Sequence, residues 1–314
     1  VRIGEVGNEG AAPFGRPLEG VRVLAIEQLQ ALPFGTQLLA RLGADVVKVE
    51  KPDGGESGRG ALPAMTDPMG RRVGATFLRN NLNKRSVAVD IARPEGRDLV
   101  LRLAPRFDVV AENFRPGVLD RMGLGYDDVH AVAQRCIYLS VTGFGTTVPT
   151  PYRDWPAYAP VPEAMSGIYA MKQLGDQPPV VAPLGGAGDI GSSLYAVIGV
   201  MAALRHRERT GRGQHVDIAM LDCMVAFTDI VTNFWSMGIE EGQLAPQIMH
   251  SFRAGDGSFV LICFREYEFA RLAGAIGHPE WREDPRLATR QGWIDHMEDM
   301  LRPGIEGWAS TRTR

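Results

Sequence analysis

The chain has 314 residues, room for about two domains, and 45% of them are hydrophobic, which supplies a sizeable core. Its 34 basic and 37 acidic residues leave a net charge of −3, which argues against a protein that coats nucleic acid and requires any phosphate site to be a local cluster of bases. Three widely spaced cysteines without a C-x-x-C pair indicate neither a disulfide framework nor a zinc site. The longest apolar stretch, 194–204, is far short of a membrane span and the first residues carry charge, so the expectation is a cytoplasmic protein with no membrane partner.

Residues 1–17 are rich in Gly, Pro and charge and read as a loose arm. An apolar run at 21–26, helical spacing over 34–42 ending at Gly43, and a second run at 45–50 make one βαβ unit. After a Gly/Pro-rich connection at 52–67, strands are expected at 86–90, 108–112 and 136–141, with helices at 94–105 and 116–123 between them. Residues 149–183 turn to Pro, Tyr and Gly around a helical segment near 161–171, the composition of a lid or substrate loop. A strongly apolar helix at 192–207 and a strand at 215–219 follow, and Asp256-Gly257 between apolar runs at 251–266 signals a hairpin. Such alternation predicts an α/β fold: a Rossmann-like large domain with a mostly parallel sheet over 18–229, and a smaller α+β domain over 230–314. Ligands are then expected at the carboxyl ends of the strands.

The segment GAGDIG at 186–191 fits G-x-G-x-x-G ahead of a helix. The strand before it is poor, interrupted by Pro178, Pro179 and Pro183, so a dinucleotide site is disfavoured. Asp189 in that loop is the more telling residue. It is expected at the start of the 192–207 helix, where an N-cap aspartate is commonplace. A carboxylate beside a helix N-terminus, flanked by glycines that let a substrate approach, also suits a nucleophile. Gln30, in EQLQALP at 27–33, follows the first strand at its carboxyl end, where its amide could bond a thioester or carboxylate oxygen. The basic run RHRER at 205–209 complements the dipole of a helix C-terminus. The six histidines show no ligand spacing, so no metal site is expected.

Several motifs then occur in a telling order: GVRVL at 20–24, LGADVVKVE at 42–50, NKRS at 83–86, ENFRPG at 112–117, DRMGLG at 120–125, SVTGFG at 140–145, MSG at 165–167 and RTGRGQ at 209–214. Together they resemble the class III CoA-transferases, the family of formyl-CoA transferase and carnitine CoA-transferase, from residue 18 to the end. The resemblance implies two chains interlocked as a homodimer. It makes Asp189 the nucleophile and Gln30 its neighbour, and assigns CoA binding to Ala31, Lys51, Val89, Asp90, Ile91, Asn113, Phe114, Arg115, Arg121 and Met122. Tyr158, which matches a tyrosine of formyl-CoA transferase, is assigned to CoA binding as well. Arg121 and Lys51 suit phosphate and Phe114 suits adenine. Coenzyme A enters as substrate, exchanged between an acyl-CoA and a small carboxylic acid through an aspartyl anhydride and an aspartyl-CoA thioester. No tightly bound cofactor is implied.

Three departures qualify the resemblance. The α-methylacyl-CoA racemases share the fold, but their catalytic His aligns with Tyr158, which is a poor base at neutral pH. Pro156 and Ala159 replace charged residues of formyl-CoA transferase, so a larger or more apolar acid than oxalate or formate is expected. Family members continue past residue 314 with a segment that returns to the large domain. The alternatives are an α-methylacyl-CoA racemase or epimerase, a truncated form, a heteromeric partner that supplies that segment, or a non-catalytic CoA-binding subunit.

Overall fold

A computed structural model describes residues 15–170, 178–181, 185–239 and 246–313. Most of the expected arm, and the parts of the expected lid at 171–177 and 182–183, lie outside the described residues. The chain divides into two units, Val1–Thr232 and Asn233–Arg314.

In the first unit β1 (Arg22–Ile26), α1 (Ala31–Arg41) and β2 (Asp45–Glu50) form the opening βαβ unit. Next come a small antiparallel pair, β3 (Ala64–Thr66) and β4 (Arg72–Gly74), then α2 (Ala75–Asn80) and β5 (Lys84–Ala88). The pair extends beyond the expected connection. Its turn is set by Asp67, whose carboxylate accepts the Met69 and Arg71 amides at 2.8 and 2.9 Å. The chain continues through α3 (Pro94–Leu103), β6 (Val109–Glu112), α4 (Val118–Arg121), α5 (Tyr126–Val132), β7 (Ile137–Thr142), α6 (Pro160–Met165), α7 (Ala187–Thr210), β8 (His215–Ala219) and α8 (Met220–Phe227), and α9 (Asp229–Ser236) runs across the boundary into the second unit.

Six strands pair in parallel in the order β5-β2-β1-β6-β7-β8. The order reverses at β1: the chain first builds outward to β2 and β5, then returns to place β6 on the other side of β1. The carboxyl ends of β1 and β6 therefore flank the switch point where open α/β sheets hold ligands. Strand residues on both faces are buried, as parallel sheets require. One face packs Val23, Val109, Leu139 and Val216 against Leu32, Leu39, Ala196 and Val200 of α1 and α7. The other packs Leu24, Val110 and Tyr138 against Val100 and Val129 of α3 and α5.

Helix α7 starts at Ala187, five residues earlier than expected, so GAGDIG lies in its first turn. Gly186 is the N-cap, with φ of 92°, and Asp189 is the third helical residue rather than the cap. The glycines are there for contact, not for a loop: a Cβ on Gly188 would meet the Met220 Sδ at 3.0 Å, and one on Gly191 would strike the Phe227 ring. Small residues also seat α7 on α1. A Cβ on Gly35 would lie 3.2 Å from the Ser193 carbonyl, and the Ser193 hydroxyl donates to the Ala31 carbonyl. Helix α7 is long and apolar enough to cross a membrane, yet one of its faces, with Gly188, Gly191, Ser193, Ala196, Val200 and Ala203, is buried in the protein.

The second unit holds the hairpin β9 (Ile248–Ala254) and β10 (Gly257–Cys263), followed by α10 (Glu266–Ala275), α11 (Arg290–Asp295) and α12 (Arg302–Ala309). Its own core centres on Phe252, Phe269, Trp281 and Trp293, with the Phe269 and Trp293 rings stacked at 4.5 Å.

Candidate active site

A cavity of about 250 Å³ opens at the switch point. Residues 28–31 after β1, 113–116 after β6, and Val141 to Gly143 of β7 and its end line it, together with Trp155 to Tyr158, Asp189 and Met220. The loops after β1 and β6 are tied by one side chain: the Asn113 Oδ1 accepts the Gln28 amide, and its Nδ2 donates to the Gln28 carbonyl, both at 2.9 Å.

The loop carrying Gln30 is braced from beneath. Glu27, fully buried at the end of β1, pairs with Lys84 at 2.6 Å and Lys48 at 3.5 Å and accepts the Thr36 hydroxyl at 2.7 Å. Desolvation opposes its charge, but the two ammonium groups prevail and hold its carboxyl below the usual range. Burial pushes Lys84 down to about 8 despite Glu27. Leu29 then adopts a left-handed backbone, φ 63°, with its amide bonded to the Glu56 carboxylate at 3.0 Å. Such strain at a ligand cavity persists only where the surroundings enforce it.

That turn delivers Gln30 to the N-terminus of α7. The Gln30 Nε2 donates to the Gly185 carbonyl at 3.2 Å, and its Oε1 accepts the Arg79 guanidinium at 2.5 Å. Because a guanidinium can only donate, Arg79 fixes which end of the amide is oxygen and leaves the N–H end toward Asp189. Gly186 sits between the two: a Cβ there would lie 2.8 Å from both the Asp189 Oδ2 and the Gln30 Nε2. Behind the turn, Glu163 of α6 is buried and accepts the Gly188 amide at 2.8 Å and the Tyr169 phenol. Burial first, then the Glu163 charge, pushes the Asp189 carboxyl up to about 6, against the opposing pull of Arg79. Asp189 is thus an ionised, unusually basic carboxylate at neutral pH.

Of the residues singled out in the sequence, Gln30, Ala31, Asn113, Phe114, Arg115, Tyr158 and Asp189 line this cavity. Lys51, Val89, Asp90, Ile91, Arg121 and Met122 do not. Four of the carried-over residues nevertheless share one apolar cluster, with Val89 buried and Ile91, Phe114 and Met122 packed at its edge. Sequence reasoning missed Arg79, Glu163, Trp155 and Met220. The one signal within reach was Glu163, an acid two residues ahead of the MSG motif in an otherwise apolar helix. Among the described residues no group of His, Cys, Asp or Glu could hold a metal.

A family model described as CoA-transferase family III matches residues 18–314. A succinyl-CoA–L-malate CoA-transferase beta subunit of Chloroflexus aurantiacus is 36% identical over 95% of this chain and 74% of its own length. A succinyl-CoA–D-citramalate CoA-transferase of the same organism is 38% identical over 91% of this chain and 71% of its own. Among solved structures, a CaiB/BaiF family protein from Brucella suis superposes with a TM-score of 0.81 at 34% identity, covering 95% of this chain and 79% of that one. With the parallel sheet, the switch-point cavity and the Asp189 turn in place, the chain belongs to CoA-transferase family III and is an enzyme that transfers coenzyme A.

Proposed function

We propose that the enzyme moves CoA from an acyl-CoA to a free carboxylic acid with Asp189 as nucleophile. The observation that carries this reading is the basic, half-buried Asp189 carboxylate facing the cavity beside the Gln30 amide. Asp189 attacks the thioester carbonyl, the C–S bond breaks, and a mixed anhydride and CoA thiolate result. The thiolate attacks the aspartyl carbonyl, releasing the donor acid and leaving an aspartyl-CoA thioester. The acceptor carboxylate attacks that thioester to form a second anhydride, and the thiolate then takes the acceptor acyl group and frees Asp189. Every step exchanges one acyl bond for another, so the thioester energy is conserved. Each passes through an oxyanion, for which the Gln30 Nε2 is a placed donor.

Phe114 and Arg115 in the cavity, with Ile91 and Met122 beside Phe114, support a CoA site along the ends of β5 and β6. Lys51 and Arg121, both exposed, are assigned to its phosphates. Trp155, Pro156, Ala157, Tyr158 and Met220 give the acyl end an apolar wall, which suits an acid larger than formate. Succinyl-CoA, named for both Chloroflexus relatives, is the first donor to try. The outward Leu194, Tyr195, Ile198 and Met201 of α7 support a homodimer, and three free, buried cysteines support a reducing cytoplasm. Because one relative is named a beta subunit, a heteromer is the competing outcome of a sedimentation experiment.

Asp189→Ala tests the nucleophile. It is expected to bind CoA as the parent does in calorimetry while losing exchange of label between succinyl-CoA and a carboxylate acceptor. Undiminished exchange would remove Asp189 from the reaction.

A further inference from the structure

Glu163 is a buried carboxylate, 4% exposed, with no cation paired to it among the described residues. Such a group is costly unless its bonds are needed where they are. Its two oxygens take the Gly188 amide, in the first turn of α7, and the Tyr169 phenol. The amide it holds belongs to the residue immediately before Asp189. A Cβ on Gly188 would lie 3.0 Å from the Met220 Sδ and 3.4 Å from the Ala159 carbonyl oxygen, so the first turn packs closely there.

We propose that Glu163 is a positioning residue that clamps the first turn of α7 and, through its negative charge, sets the nucleophilicity of Asp189. The inference rests on Asp189 being the nucleophile. An ionised neighbour raises the proton affinity of the Asp189 carboxylate and with it its reactivity toward a carbonyl. The Tyr169 phenol, itself pushed up to about 12 by burial and by Glu163, stays a donor throughout the working range and satisfies one of the Glu163 oxygens. The charged groups acting on Asp189 are Glu163 from α6 and Arg79 from α2; Gln30 and Met220, which also adjoin this turn, are neutral.

The test is the pH dependence of Asp189 acylation by succinyl-CoA, followed by single-turnover mass spectrometry. For the parent the rate should fall below a midpoint of about 6. Glu163→Gln keeps an oxygen for the Gly188 amide but removes the charge. Its midpoint should drop by about half a unit or more, so that its rate at pH 5 relative to its own plateau is about threefold that of the parent. Its plateau should be lower. Tyr169→Phe removes one hydroxyl and leaves the charge, so its midpoint should stay at or above that of the parent. A Glu163→Gln midpoint equal to the parent's, or a Tyr169→Phe midpoint that falls, overturns the proposal while leaving Asp189 as nucleophile. No acylation of the parent at Asp189 removes both.

Discussion

Gly186→Ala places a methyl group between the two residues on which the chemistry depends. The backbone there is left-handed, φ 92° and ψ 57°, so an alanine costs roughly 1–2 kcal/mol before any contact is counted. Its Cβ would then lie 2.8 Å from the Asp189 Oδ2 and 2.8 Å from the Gln30 Nε2, where ordinary contact begins at 3.4 Å. Both are side-chain ends and can give way, but only by moving apart. A misplacement approaching 1 Å costs up to about a hundredfold in rate, so turnover should fall on the order of ten- to a hundredfold. Gly185→Ala is the matched control: φ is 61° there, but a Cβ meets nothing within 4 Å. Both variants should melt a few degrees below the parent, at roughly 2–4 °C per kcal/mol. In a steady-state exchange assay with succinyl-CoA, only Gly186→Ala should lose most of its turnover while retaining CoA binding. Equal losses in the two variants would reduce the effect to backbone strain. Full activity in Gly186→Ala would refute the idea that the spacing of Gln30 and Asp189 matters.

Two further predictions concern stability. The Asp189 carboxyl is raised from 3.8 to about 6 by the fold, so the folded protein holds that proton more tightly and loses stability as pH rises from about 4 to about 6. Asp189→Asn removes a burden of about 3 kcal/mol at pH 7.5 and should melt roughly 5–10 °C higher, with the advantage vanishing below pH 4; a variant that melts lower at pH 7.5 would contradict the burial of that charge. Lys84→Met leaves Glu27 with only Lys48 at 3.5 Å and should cost about 3–5 kcal/mol in denaturant unfolding, whereas a loss under 1 kcal/mol would mean that Glu27 takes up a proton or water at little cost.

The architecture was largely legible because apolar runs such as 21–26, 45–50 and 136–141 are short and separated by glycine, proline and polar residues, the signature of buried parallel strands. The start of α7 was not, because its glycines read as a loop. Their reason is the closeness of Met220 and Phe227, which belong to a helix some thirty residues later. Asp189 could be singled out from its flanking residues, but not its place in the third helical position or its burial. Gln30 was legible as the residue after a strand end, while the Leu29 strain and the Glu27 cluster that aim it depend on Lys48, Lys84 and Glu56 from other elements. Arg79 carries no local pattern and Glu163 only its place two residues ahead of the MSG motif; what makes both matter is the charge each presents to Asp189 in the folded chain. Asn113, carried over as a CoA contact, also has a task within the protein, since its amide binds both backbone groups of Gln28.

The central claim, that CoA passes through a covalent bond to Asp189, is tested most directly by intact-protein mass spectrometry after mixing with acyl-CoA donors, followed by hydroxylamine or borohydride trapping and peptide mapping. The account predicts an added mass of the acyl group or of CoA, released by hydroxylamine and mapped to the peptide containing Asp189. Exchange of CoA between acids with no adduct at that peptide, or with the adduct on another side chain, would contradict it.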